Sequence, residues 1–196
     1  MGRHSSIRAK EANLGFTGPV IVTKREGNNW ETLTGFRYDA NEISFQVPAK
    51  SPTDFASVPR VFAWLIPRAG DSVPAAILHD HLWRDEAPAG RIAYREADGI
   101  LRQALRVSGV PFVLRWLCWT AVRWGALTRK NGFKGWWKDF PLVLCWTLAA
   151  LPVVLPAAIL VGAALAVVQV AELVTWVVLY PFSRKVVNHP RVGVKI

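Results

Sequence analysis

From Phe140 to Phe182 the chain runs 43 residues with one acidic side chain, Glu172, and no lysine or arginine. A core helix of a soluble domain has no use for so long an uncharged run, so the segment is read as membrane-embedded. One helix crossing ~30 Å of hydrocarbon needs only ~20 residues, so a single straight span is too short a description. Two arrangements fit. The expected one is a transmembrane helical hairpin broken near Pro152–Pro156 or near Gly162, with both flanks on one side. Lys130, Lys134 and Lys138 before the run, and Arg184 and Lys185 after it, favour the cytoplasmic side for both flanks. The alternative is one span, Ala157 to Tyr180, preceded by an interfacial helix over Pro141 to Leu155. Glu172, with Gln169 on the same helical face, is either a polar contact between helices or subunits or a residue near the interface. Gly162, Ala163, Ala164 and Ala166 permit close helix packing, and hence self-association through the membrane segment.

The remaining charge is concentrated upstream. Residues 1–139 hold 20 of the 24 basic residues and 13 of the 14 acidic ones, within a formal net charge of +10. Such an excess suits an anionic partner, either nucleic acid or a membrane surface. Beside the apolar run a lipid bilayer is the simpler partner. No helix-turn-helix pattern is present, and nucleic acid is not expected. Cys118 and Cys145, the only cysteines, form no ligand spacing or disulfide framework. Residues 1–11 are polar and basic with no apolar signal core, so the N-terminal domain is expected on the cytoplasmic side of a membrane.

The expected organisation is a flexible arm over 1–14, an α+β domain over 15–110, a basic Trp-rich interfacial helix and anchor over 111–139, the membrane segment over 140–183 and a basic tail over 184–196. In the domain, Val20–Val22, the alternating run Trp30 to Tyr38, and Ile43, Phe45 and Val47 read as a small antiparallel β-meander. Pro48 to Arg60 reads as a loop, and Phe62 to Ile66 as a short helix. A helix capped by Asp71 or Ser72 runs to about Arg84. Another, over Arg91 to Val107, shows apolar spacing at Ala97, Ile100, Leu101, Ala104 and Leu105. Gly109 ends it and Pro111 starts the next. That next helix carries Arg115, Trp119 and Arg123 along one face and Trp116 and Trp124 on another. Such a helix either lies flat among headgroups or packs in the core with an arginine face. Trp136 and Trp137 among basic residues form an interfacial anchor.

The polar residues that could carry chemistry fall in two boxes, Thr53 to Arg60 and Leu78 to Arg84, followed by Arg95 to Asp98. His79 is a candidate general base, oriented by Asp54 or Asp98, with Thr53 or Ser57 nearby. Asp80, with Asp54 and Asp98, joins His79 as a catalytic candidate, and Thr53, Ser57, Arg60 and Arg95 are substrate-binding candidates. No metal ligand set is expected. His79 and His81 lie ~200° apart around a helix and cannot easily share one ion. The residues name no cofactor. A structural assignment covers the same side chains: Asp54 and Ser57 as helix caps, Asp80 paired with Arg84, His79 on a buried carbonyl.

These boxes resemble the phage and prophage family called domain of unknown function 1353. Its pattern runs V-P-x-G-x-x-T-D-x-A-S-x-P-R, then A-x-x-H-D-x-L-Y/W, then R-x-E-A-D with A-L and G-V following. Here the stretches read Val47-Pro48 with Thr53 to Arg60, Ala75 to Trp83, and Arg95 through Ala104-Leu105 to Gly109-Val110. The resemblance covers about residues 28–112. It implies a viral or prophage origin and a small α+β domain, and no established activity. Two departures stand out: Ala49-Lys50-Ser51-Pro52 replaces the stretch that carries the family glycine, and the membrane segment is additional. Two functions follow as expectations. One is a phage-encoded, membrane-anchored domain with an Asp/His binding or hydrolytic site. The other is a non-enzymatic virion-associated or membrane effector acting in superinfection exclusion, host-envelope interaction or lysis, with other phage or virion proteins as partners.

Overall fold

The computed structural model describes residues 15–25, 30–40, 43–54 and 70–179. The arm over 1–14, the tail over 184–196, the expected helix Phe62 to Ile66, and the candidates Ser57 and Arg60 lie outside the described residues.

The class is α+β, as expected, but the strands differ from a single meander. Among the described residues six short strands form two antiparallel three-stranded sheets: β1 (Gly15–Thr17), β4 (Phe36–Ala40) and β5 (Ile43–Val47) make one, and β2 (Val22–Lys24), β3 (Trp30–Thr32) and β6 (Pro52–Thr53) the other. The run from Trp30 to Tyr38 is thus two strands in two sheets. Thr32 causes the division. Its hydroxyl donates to Pro48 O at 2.9 Å and accepts from Ser51 N–H at 2.9 Å. Leu33 N–H turns back to Ile21 O at 2.8 Å. The turn that meets Thr32 has Lys50 at φ 65°. In the resembled pattern that position is glycine, the residue that adopts a left-handed conformation at least cost. Alternation holds within each strand: Phe36, Tyr38, Phe45 and Val47 are buried while Arg37, Ser44 and Gln46 are exposed, with Tyr38 paired to Phe45 and Phe36 to Val47.

Among the described residues, four α-helices follow. α1 (Val73–His81) continues into a π-helical turn, Leu82–Glu86, and then come α2 (Tyr94–Val107), α3 (Phe112–Ala126) and α4 (Phe140–Leu179). α2 starts where the Glu96 carboxylate accepts the Ala93 N–H at 2.9 Å. It ends in a Schellman turn: Gly109, at φ 80°, donates to Arg106 O and Val110 N–H to Leu105 O. α1, α2 and α3 pack in chain order, and Ile77, Leu78, Leu82, Ala97, Leu101, Ala104, Leu105 and Trp119 join the β4–β5 face in one core. α3 packs as a core helix. Trp119 and Arg123 from its expected arginine face are buried, while Phe112, Val113, Trp124 and Leu127 are exposed.

The membrane segment is where expectation and structure differ most. It is one uninterrupted helix of 40 residues with Pro152 and Pro156 inside it, not a hairpin. A proline removes one backbone hydrogen bond and bends a helix. A reversal needs a turn that can satisfy several freed backbone groups, and this stretch holds only apolar side chains. At 1.5 Å per residue α4 is about 60 Å long. Its first two turns lie on α3: Val143 is fully buried, Trp146 stacks on Trp116 at 5.5 Å, and Trp124 Nε1 donates to the Thr147 hydroxyl at 3.0 Å. Beyond Thr147 most of its large apolar side chains are exposed. Among the described residues it is the one helix long and apolar enough to cross a membrane.

Candidate functional site

α1 and its π-turn direct His79 and Trp83, four residues apart, toward Asp98 on α2. His79 Nε2 lies 2.8 Å from Asp98 Oδ1, and Trp83 Nε1 donates to the same oxygen at 2.7 Å. The other oxygen, Oδ2, accepts from Arg123 of α3 at 2.8 Å. Asp98 and Arg123 are completely buried, and His79 nearly so. Because Asp98 acts as an acceptor, it fixes the His79 proton on Nε2 and leaves Nδ1 as the nitrogen with a free lone pair. The Trp83 ring is held from several sides. Tyr94 packs 4.6 Å away and the Arg129 guanidinium sits 5.5 Å over the ring. Gly132 approaches so closely that a Cβ there would lie 2.9 Å from the indole and 2.3 Å from Ala126 O.

Asp80, next in the chain, faces the strand end rather than the helices. Thr53 of β6 donates its hydroxyl to Asp80 Oδ2 at 2.5 Å, and Asp54 N–H donates to the same oxygen at 3.2 Å. Burial, with the neighbouring Asp54 charge adding to it, holds the Asp80 carboxyl above the usual carboxylate range, and the Thr53 hydrogen bond opposes this. Arg84 is not the Asp80 partner that i,i+4 spacing suggests. It reaches Pro52 O at 2.8 Å and lies 3.5 Å from Asp54 Oδ2. β6, in a stretch read as loop, is therefore what carries Thr53 and Asp54 to α1.

Arg95 is turned away from His79. Its guanidinium grips Asp139 with two bonds, 2.8 and 2.6 Å, and Arg123 Nε lies 3.4 Å from the same carboxylate. Asp139 occupies the N-cap of α4, where its backbone carbonyl accepts the Val143 N–H at 2.9 Å and its charge suits the helix dipole. His81 points elsewhere again, with Nδ1 2.7 Å from Asp85 and Nε2 3.5 Å from Glu86. Glu86 also holds Arg91, and that bond pulls its carboxyl below the usual range.

Of the named candidates, the structure thus joins His79 to Asp98, and Asp80 to Thr53 and Asp54. The two groups meet where His79 and Asp80 are adjacent. Arg123 and Asp139 are site-supporting residues that the sequence reading missed. The available signal was that Asp139 is the only acid between Asp98 and Glu172, an isolated charge placed directly before an apolar run. Cys118 is buried in α3, which pushes its thiol up to about 11, so it offers no nucleophile at neutral pH. Among the described residues no group of three His, Cys, Asp or Glu side chains is arranged to hold a metal ion.

No curated protein and no solved structure matches this chain. Residues 30–122, from β3 into α3, match the family described as Protein of unknown function (DUF1353). That span carries Thr53, Asp54, His79, Asp80, Arg95 and Asp98, and it stops one residue before Arg123.

Proposed function

We propose that this chain is a membrane-tethered domain in which the His79–Asp98 pair serves as the general base of a hydrolytic site. The supporting observation is the 2.8 Å contact between His79 Nε2 and a completely buried carboxylate. With Nε2–H donated to Asp98, the His79 Nδ1 lone pair takes the proton from an attacking water or hydroxyl. Asp98 then stabilises the imidazolium, an arrangement typically contributing 10²–10⁴-fold. Thr53, Asp54 and Asp80 form the polar wall beside it. Ser57 and Arg60 join as substrate-side candidates through the resembled motif. Arg95, bound to Asp139, is a support and not a substrate ligand. The family resemblance favours a viral or prophage source.

α4 is the tether, in a single-span arrangement. Its first two turns rest on α3 and the remainder crosses the bilayer. Arg129, Lys130, Lys134 and Lys138 precede it and favour the cytoplasmic side for the domain. Exposed Phe133 and Trp137 at its foot suit the headgroup layer.

The test uses the full chain in detergent micelles against ester, amide and phosphoester substrates. His79→Gln should abolish turnover while circular dichroism stays native, and Asp98→Asn should abolish turnover with a loss of stability. Turnover retained in a folded His79→Gln variant would reject the assignment. A second reading has its own support: Asp98 is bonded to three partners and fully enclosed, as in a purely structural hub. If the wild-type chain turns over none of the substrates, the non-enzymatic membrane effector is favoured, with self-association through α4 and other phage or virion proteins as partners.

A further inference from the structure

We propose that Arg123 is the positioning residue of the His79–Asp98 pair, and that Asp139, at the foot of α4, holds Arg123 in place. The inference builds on the general-base reading of His79, but its test needs no substrate.

Arg123 is placed from both ends. Its backbone carbonyl accepts the Trp136 indole N–H at 2.7 Å. Its guanidinium, fully enclosed, reaches Asp98 through one terminal nitrogen at 2.8 Å and faces Asp139 through Nε at 3.4 Å. Among the described residues Nε and the second terminal nitrogen make no hydrogen bond, so this cation is held mainly by charge. Asp139 in turn is fixed by the two bonds from Arg95. The result is an alternating chain, His79, Asp98, Arg123, Asp139, Arg95. Two carboxylates and two guanidiniums balance formally when the imidazole is neutral.

That balance decides what Asp98 does to His79. A carboxylate shared with a buried cation attracts an imidazole proton less than a carboxylate bonded only to neutral donors. Other charged groups face His79 less directly. Asp80 is its neighbour on α1, with Asp54 and Arg84 behind that carboxylate, and Arg129 covers Trp83. Among the described residues Arg123 is the one cation bonded to Asp98. Arg123 and Asp139 both lie beyond the residues that match the family, on the segment that leads into α4. The foot of α4 therefore contributes to the site through Asp139.

The experiment is an NMR pH titration of the His79 ring in the full chain, in micelles with ring-15N-labelled histidine, the signal assigned by its loss in His79→Gln. Relative to wild type, Arg123→Gln should move the titration midpoint up by about one pH unit, and Arg123→Lys should leave it within a few tenths. Asp139→Asn, which leaves Arg123 less neutralised, should move it down. An unchanged midpoint in folded Arg123→Gln would overturn the proposal. So would shifts of the same sign in Arg123→Gln and Asp139→Asn, the mark of general loosening. If Arg123→Gln does not fold, Asp139→Asn decides alone: a fall supports the proposal, and an unchanged or raised midpoint rejects it. Opposite shifts in a chain with no hydrolytic activity would keep this proposal and remove the general-base reading.

Discussion

Asp98 and Asp80 are both buried, yet one is surrounded by donors and the other is crowded by a second acid. Removing Asp98 leaves the Arg123 guanidinium enclosed with Asp139, 3.4 Å away, as its one acidic partner among the described residues. Breaking a buried pair from one side typically costs about 3–5 kcal/mol. Asp98→Ala should therefore lose stability on that scale in chemical denaturation, far more than an average core change. Asp80 should behave in the opposite way. Its folded carboxyl titrates above its ordinary value of 3.8, so the folded chain binds the proton more tightly than the unfolded one. The resulting stability is fully present below 3.8 and is lost as pH rises through the raised folded value. Asp80→Asn keeps an oxygen for Thr53 and for Asp54 N–H while removing the charge. It should melt higher than wild type at pH 8, with the gap closing toward pH 4. The spacing on α1 made His79 and Asp80 visible as polar residues on an apolar helix. Their partners were less legible, because helical spacing does not say which strand end arrives beside it. Arg123 was the hardest to read, since its i−8 and i−4 neighbours, Arg115 and Trp119, form the same stripe that a headgroup-lying helix would show.

Among the elements, α2 was the easiest to read from sequence: apolar spacing, a Gly at its end and a Pro after it all point the same way. The sheets were harder. β3 and β4 read as one run because Trp30, Thr32, Phe36 and Tyr38 keep the alternating phase across Leu33 to Gly35. What separates them is the Thr32 side chain bonded to a turn more than fifteen residues away in sequence, and alternation carries no trace of that. The same turn contains Lys50 at φ 65°, a conformation that costs a side chain-bearing residue about 1–2 kcal/mol. Glycine relieves that cost but gives back part of it as entropy in the unfolded chain. Lys50→Gly should therefore stabilise the domain by about 0.5 kcal/mol, measurable as a higher denaturation midpoint with unchanged slope. The hairpin expected for the membrane run failed for a related reason. Prolines mark where a helix can bend, whereas a reversal also requires residues able to leave it.

At the scale of the whole molecule, a compact mixed domain carries a helix about 60 Å long, roughly twice a hydrocarbon core. The domain covers only the first two turns of that helix. Trp116, Trp124 and Trp146 close the joint, and the Arg95–Asp139 hydrogen bonds with the Asp139–Arg123 ion pair lock it from the domain side. Among the described residues the domain leaves most of the remainder uncovered, and a bilayer would supply a covering surface. The sequence made the apolar run evident through its length alone, but its attachment depends on side chains far apart in the chain, such as Arg95 and Asp139, separated by 44 residues. The most direct measurement is alkaline carbonate extraction of membranes from cells expressing the full chain. The account predicts that the chain stays in the membrane pellet at high pH and is released only by detergent. Release of the chain into the carbonate supernatant would contradict it.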